Sequence, residues 1–293
     1  LASPEGIARL LRAHGIRLQR RLGQHLLVSR PVLDRLLDLA ALSGREGVLE
    51  IGAGVGTLTA ALAPLAARVT AIEFDRALLP ALRDTTAPLA NVTVIQGDAL
   101  ALDLAALAAG LPAPRRVVSN LPYNIAAPLI LRLLERRLGF DRLVLTVQRE
   151  VAERLAAPPA SRSYGALSVA VQYRATVALA MRVPPAAFYP RPEVESAIVL
   201  LEVRERPPVA VADEAWFFRV VRAAFAQRRK TLRNAVAGAL AVPPATVEAA
   251  ARTAGIDPRR RGETLTLDDF ARFADALAAA NGGKAADIRE ERR

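Results

Sequence analysis

The segment Ser119-Asn120-Leu121-Pro122-Tyr123-Asn124-Ile125 groups residue types suited to one demanding reaction. An exocyclic amine on an aromatic ring is a poor nucleophile, because its lone pair is delocalised into the ring. A site that alkylates such an amine should accept hydrogen bonds from its N–H groups, drawing the nitrogen toward sp³ and freeing the lone pair. The Asn120 side-chain oxygen and the carbonyl of Leu121 or Pro122 could supply those acceptors. Tyr123 offers a ring on which a base can stack. An Asn-x-Pro turn capping a helix is the plainer reading of such a motif standing alone. Here the motif follows the fourth strand of a series.

A second group is Leu49-Glu50-Ile51-Gly52-Ala53-Gly54-Val55-Gly56-Thr57, a strand running into a helix through Gly52, Gly54 and Gly56. Glycines at that place let the backbone turn sharply and approach a ligand closely. A dinucleotide fingerprint would be G-x-G-x-x-G, whereas this loop is G-x-G-x-G, with Thr57 where the third glycine would stand. Glu50 opposes a pyrophosphate by like charge and suits a ligand carrying an ammonium or sulfonium cation. Glu73 ends the second strand, where an acid can accept both ribose hydroxyls, and Asp98 ends the third, where it could take an adenine amino group. Strand-end carboxylates also serve as helix caps. Three of them with the glycines, and no phosphate-binding Lys or Arg, fit a nucleoside bearing an amino acid, which is S-adenosylmethionine.

These groups need a sheet to position them. Short β-branched runs lie at Val48–Ile51, Val69–Glu73, Val92–Gln96, Arg116–Ser119 and Leu143–Val147, each followed by a helical pattern, over 56–66, 76–84, 103–108, 127–137 and 149–156. Five such repeats predict a parallel sheet with helices on both faces. Residues 3–14 predict a short basic helix, 15–30 a loop, and Ser29 before Pro31 a helix start. Residues 165–173 look helical. Val177–Val183 and Ala197–Val203, joined through Pro184 to Pro192, suit an antiparallel hairpin at the sheet edge. After Arg206-Pro207-Pro208 only helical stretches remain, at 214–240, 244–254 and 267–280.

The expected fold is therefore α/β, a Rossmann-like methyltransferase sheet that is mostly parallel with an antiparallel edge hairpin, plus a small all-α C-terminal domain. The expected divisions are a basic N-terminal extension and cofactor/substrate loop (1–30), a cofactor-binding catalytic domain (31–206), a helical RNA-binding domain (207–280) and a flexible tail (281–293).

Charge agrees with a polyanionic partner. The 293-residue chain carries 40 Lys+Arg against 29 Asp+Glu, a formal net charge of +11. Residues 1–30 hold +5, residues 31–203 only +1, and residues 204–293 again +5. A nearly neutral middle between basic ends suggests catalysis in the centre and nucleic acid held by the flanks. The sharpest clusters are Arg20-Arg21, Gln227-Arg228-Arg229-Lys230-Thr231-Leu232-Arg233 and Arg259-Arg260-Arg261. A helix through the second would set Arg229 and Arg233 one turn apart with Lys230 alongside. Arg20, Arg21, Arg228, Arg229, Lys230 and Arg233 are the candidate RNA contacts.

With no cysteine and only His14 and His25, thiolate nucleophiles, disulfides and Cys- or His-rich metal clusters are excluded, and no metal is expected. Arg, Asp or Pro interrupts every apolar run before the roughly 18–20 residues of a membrane span. Leu1-Ala2-Ser3-Pro4-Glu5 lacks the features of a signal peptide. A cytoplasmic monomer is the expectation.

Taken in order, these segments resemble the KsgA/RsmA family of ribosomal RNA adenine N6,N6-dimethyltransferases. The resemblance is carried by Arg21-Leu22-Gly23-Gln24-His25-Leu26-Leu27, the glycine loop, Ile72-Glu73, Gly97-Asp98-Ala99, Asn120 to Ile125, Val147 to Ala152, Tyr164-Gly165, Phe188-Tyr189-Pro190-Arg191-Pro192-Glu193-Val194 and Phe225 to Leu232. It implies that His25, Leu27, Gly52, Glu73, Asp98 and Asn120 contact S-adenosylmethionine, and that Phe188 with Tyr123 clamps an unstacked adenine. Leu26 stands where the family usually has Phe, and Ala53 where Pro is common. The implied reaction is in-line methyl transfer to adenine N6, twice on each of two adjacent adenines in the 3′-terminal hairpin loop of 16S rRNA, in a pre-30S or 30S particle. A related erythromycin-resistance enzyme acting on 23S rRNA is one alternative. Leu121 and Pro190-Arg191-Pro192 argue against it, since those enzymes more often carry Asn-Ile-Pro-Tyr. A noncatalytic ribosome-assembly factor is another, which the intact Glu50, Glu73, Asp98, Asn120 and Tyr123 disfavour.

Overall fold

The computed structural model describes residues 2–19, 23–135 and 138–281. Arg20, Arg21 and all but the first residue of the expected tail lie outside them. The elements in chain order are α1 (Pro4–Ala13), β1 (Leu26–Leu27), α2 (Arg30–Ala40), β2 (Gly47–Ile51), α3 (Thr57–Leu62), β3 (Arg68–Glu73), α4 (Leu79–Thr86), β4 (Val92–Gln96), α5 (Leu104–Ala109), β5 (Arg115–Asn120) and α6 (Ala126–Glu135). They continue with β6 (Phe140–Gln148), α7 (Arg149–Ala156), α8 (Ala166–Arg174), β7 (Ala175–Val183), β8 (Phe188–Tyr189), β9 (Ser196–Val203), α9 (Glu214–Phe225), α10 (Leu232–Leu240), α11 (Pro244–Thr253) and α12 (Leu267–Ala280).

Seven strands form one sheet in the order β4-β3-β2-β5-β6-β9-β7. The first five run parallel, and β9 pairs antiparallel with both β6 and β7. The expected hairpin is therefore present, with β9 inside the sheet and β7 at its edge. Every residue of β2 is buried, as expected of a parallel strand covered on both faces. On one face Val48, Val69, Val118, Val144 and Ile198 pack with Val32, Leu33 and Leu36 of α2 and with Leu58 and Leu62 of α3. The chain leaves β2 toward β3 on one side, while β5 flanks it on the other. That reversal of strand order is the topological switch point, where the carboxyl ends of β2 and β5 leave a crevice.

The chain divides into two compact units, one of residues 1–153 and 174–204 and one of residues 154–173 and 205–293. The sequence expectation parts the catalytic domain from the helical one at 206, while the contacts also place 154–173 among the C-terminal helices. Aromatic packing accounts for this. The Tyr173 ring lies 5.1 Å from Phe217 and 5.2 Å from Phe218, and the Tyr164 hydroxyl donates to the Leu265 carbonyl at 3.0 Å. The Ala160 N–H donates to the Glu263 carbonyl at 2.7 Å. Trp216, Phe217, Phe270 and Phe273 complete the core of the helical unit, with the Trp216 indole N–H donating to the Ala274 carbonyl at 2.9 Å. No helix among the described residues is long and apolar enough to cross a membrane.

Candidate active site

A cavity of about 290 Å³ opens at the carboxyl ends of β2, β3 and β5, at the small end of the range for small-molecule sites. The loop after β2 forms its floor. The Gly52 and Ala53 N–H groups both donate to the Ile72 carbonyl, which folds the chain back over β3. Gly52 and Gly54 have φ of +79° and +61°, values that strain any residue with a Cβ. A Cβ at Gly52 would stand 2.9 Å from the Pro122 ring, and one at Gly54 2.7 Å from Leu26 Cδ2. Bare glycine at these two places keeps the floor open and lets the 120–125 segment close down on it.

Glu73 is almost fully buried in the wall. Its two oxygens accept from the Gly54 N–H at 2.7 Å and the Asp75 N–H at 2.8 Å. Burial raises its pKa above the ordinary carboxylate range, against the opposing pull of those N–H donors. Asp98 also lines the cavity but is exposed, and it accepts from the Leu100 N–H at 2.8 Å. That turn sets one carboxylate oxygen against the backbone.

The Asn120 side chain is held at one end and free at the other. Its Nδ2 donates to the His25 carbonyl at 2.8 Å, fixing the amide plane. Its Oδ1 is buried with no hydrogen-bond partner among the described residues, an arrangement that costs about 1–3 kcal/mol unless a ligand donates to it. The Pro122 carbonyl accepts from the Ile125 N–H at 3.3 Å and keeps its second lone pair. The Tyr123 hydroxyl makes a short hydrogen bond with the Ser196 hydroxyl, and burial raises its pKa. The Tyr123 ring lies 5.2 Å from the His25 ring at an interplanar angle of 30°. His25 Nδ1 donates to the Pro190 carbonyl at 2.8 Å, so Nδ1 carries a proton.

Of the residues expected at the site, His25, Gly52, Gly54, Glu73, Asp98, Asn120, Leu121, Pro122 and Tyr123 line one cavity. Leu27, Glu50, Gly56 and Phe188 do not. Alternation along β2 points Glu50 with Val48 to the α3 side of the sheet, where its carboxyl is buried and accepts from the Thr59 hydroxyl at 2.6 Å. Burial, only partly offset by that hydrogen bond and reinforced by the negative Glu73, pushes its pKa up to about 8. Gly56 is the N-cap of α3 and packs against Leu82 and Thr85. Leu27 and Phe188 face each other in the two-residue β1–β8 ladder and turn into the hydrophobic core, Phe188 at 2% exposure. Leu26, whose type departs from the family pattern, is the β1 residue that lines the cavity.

Gln24, Phe74 and Asp75 line the cavity without having been singled out. The Gln24 side chain joins the loop to the wall, donating to Asp75 at 2.7 Å and accepting from the Gln19 N–H at 2.7 Å. Phe74 stands 55% exposed, an apolar ring beside the carboxylate that ends β3. Its position directly after Glu73 was the available signal.

Of the candidate RNA contacts, Arg228, Arg229 and Lys230 lie in the turn between α9 and α10, not on a helix. Thr231 caps α10 through its hydroxyl, which accepts from the Asn234 N–H, so the expected helix over 214–240 breaks at this turn. Arg229 and Lys230 are exposed, and neither has an ion-pair partner among the described residues. Arg228 lies 3.6 Å from Glu263, and Arg233, in the first turn of α10, lies 3.2 Å from Glu248.

The model of the family described as ribosomal RNA adenine dimethylase matches residues 15–279. The chain is 44% identical over 283 residues to the ribosomal RNA small subunit methyltransferase A of Geobacillus thermodenitrificans, covering 94% of this chain and 97% of that one. It is 45% identical over 292 residues to the protein of that name in Pelotomaculum thermopropionicum, covering 96% and 99%. Among solved structures, a dimethyladenosine transferase from Plasmodium falciparum is similar with a TM-score of 0.73 and 26% identity, over 88% of this chain and 98% of that one. The 23S rRNA methyltransferase ErmE is similar with a TM-score of 0.65 and 25% identity, over 86% and 99%.

Proposed function

The chain belongs to the ribosomal RNA adenine dimethylase family, and on that premise we propose that it binds S-adenosylmethionine in the β2–β3–β5 cavity and dimethylates N6 of two adjacent adenines in the 3′-terminal hairpin loop of 16S rRNA. Its particle is the pre-30S or 30S subunit, met in the cytoplasm by a monomer of this chain. The curated relatives named for the small subunit support that choice over the large-subunit substrate of ErmE.

The residues present fit such a cofactor. The bare floor at Gly52 and Gly54 would take it in close approach, Glu73 would hold the ribose, and Asp98 with the exposed Phe74 ring would hold the adenine. When bound, S-adenosylmethionine supplies an electrophilic methyl group on a sulfonium. The chain's own contribution is alignment and acceptance of hydrogen bonds, which in-line transfer requires more than a strong base. Asn120 Oδ1 accepts one N–H of the target amine, and the Leu121 or Pro122 carbonyl accepts from the same nitrogen. Tyr123, held by Ser196 at its hydroxyl and by His25 at its ring, gives the adenine a surface to stack on.

The observation that carries this reading is the buried, unpartnered Asn120 Oδ1, fixed in direction by its own amide nitrogen. The test is methyl transfer from radiolabelled S-adenosylmethionine to immature 30S, mature 30S and 50S particles, with mapping of the labelled adenines. Label on two adjacent adenines of the small subunit is expected, and label on 50S alone overturns the reading. In the same assay Asn120→Ala is expected to lower transfer about 10²–10³-fold with cofactor affinity largely kept. Near wild-type turnover would remove Asn120 from its role.

A further inference from the structure

A second pocket, of about 340 Å³, lies beside the β1–β8 ladder. It is an open pocket lined by the second half of α1, the following loop and the Tyr189-Pro190 segment. Leu26 and Tyr189 are register partners in the ladder, Leu26 lining the cavity and Tyr189 the second pocket. The Pro190 carbonyl that accepts from His25 Nδ1 ties the two walls together at 2.8 Å. The pocket's floor is apolar, made by Leu11, Ile16 and Leu18, and the Tyr189 ring stands over it 40% exposed.

Its rim is charged in one sign. Arg12 and Arg17 line it, both exposed and neither with an ion-pair partner among the described residues. Elsewhere Arg233, Arg252, Arg259 and Arg260 all have an acidic neighbour. An apolar floor, an aromatic face and two uncompensated guanidinium groups match one occupant. That occupant is a nucleotide of a single strand, flat and apolar on its faces and anionic at its phosphates.

We propose that this pocket binds the nucleotide flanking the target adenine in the same RNA strand, its base against the Tyr189 ring and its phosphates on Arg12 and Arg17. The proposal rests on the cavity being an rRNA adenine site. It makes the hydrogen bond from His25 to Pro190 the link between the base that is methylated and the base beside it.

The test is steady-state methylation of 30S particles by the full chain and by Tyr189→Ala, Tyr189→Phe and the double variant Arg12→Gln/Arg17→Gln, with cofactor affinity measured separately. Tyr189→Ala is expected to raise KM for the RNA substrate roughly tenfold, leaving kcat and cofactor affinity unchanged, while Tyr189→Phe restores KM. The double variant is expected to flatten the logarithmic salt dependence of RNA binding by about 1.4, two contacts at the single-strand coefficient. Wild-type KM in Tyr189→Ala, or an unchanged salt slope in the double variant, with the parent chain active, overturns the pocket's assignment alone. An inactive parent chain overturns the functional reading and this assignment with it.

Discussion

Glu50 sits one residue before the glycine loop, yet its carboxyl is enclosed between β2 and α3 with the Thr59 hydroxyl donating to it. With a pKa near 8 against an ordinary value near 4.3 for an exposed Glu, the folded chain holds this proton more tightly than the unfolded chain. The associated stability is complete below about pH 4.5 and is lost as pH rises toward 8. Glu50→Gln keeps the acceptor for Thr59 and removes the titration. Thermal melting of the ligand-free protein between pH 5 and 8.5 should therefore fall more steeply in the parent than in Glu50→Gln. Comparing slopes avoids confusion with the cost of a buried Gln amide, and parallel curves would show that Glu50 is ionised across the range. The type and place of Glu50 were legible in the sequence, and its direction was not. Period-2 alternation assigns it to the Val48 side, but only packing decides which side faces the cavity.

Among elements, the β2–α3 loop and the segment after β5 form one unit, because each supplies what the other excludes. Gly52 sits at φ +79° directly beneath Pro122. Gly52→Ala should cost about 1–2 kcal/mol in backbone strain, seen as a melting temperature a few degrees lower. It should also reduce methyl transfer more than cofactor affinity, since its Cβ pushes on the segment that carries Asn120. Equal losses in both would place Gly52 solely in cofactor binding. Strand and helix positions were readable from hydrophobic period, down to the late hairpin. The two-residue β1–β8 ladder was not, since pairs of residues 161 and 163 apart leave no local pattern. That ladder turns Phe188 and Leu27 inward and Leu26 and Tyr189 toward the two pockets.

Across the whole molecule, the uneven charge remains the widest-scale feature, with +11 concentrated at the two ends. Within the helical unit the free positive charge is narrower than the sequence count suggests, because acidic neighbours compensate Arg228, Arg233 and Arg260. Replacing Arg228, Arg229 and Lys230 together by Gln should weaken RNA binding and flatten its salt dependence, with most of the change from Arg229 and Lys230. Binding measured across a salt titration checks this, and an unchanged slope would remove the turn from the RNA contact. By itself the sequence determined the α/β order, the glycine loop, the strand-end acids and the Asn120 segment, because these are local patterns of period, turn chemistry and spacing. Tertiary structure decided which of those residues share a cavity, that residues 154–173 pack with the C-terminal helices, and that Asn120 Oδ1 is left without a partner among the described residues. Each of those depends on contacts between distant segments and on the direction of side chains, which packing sets.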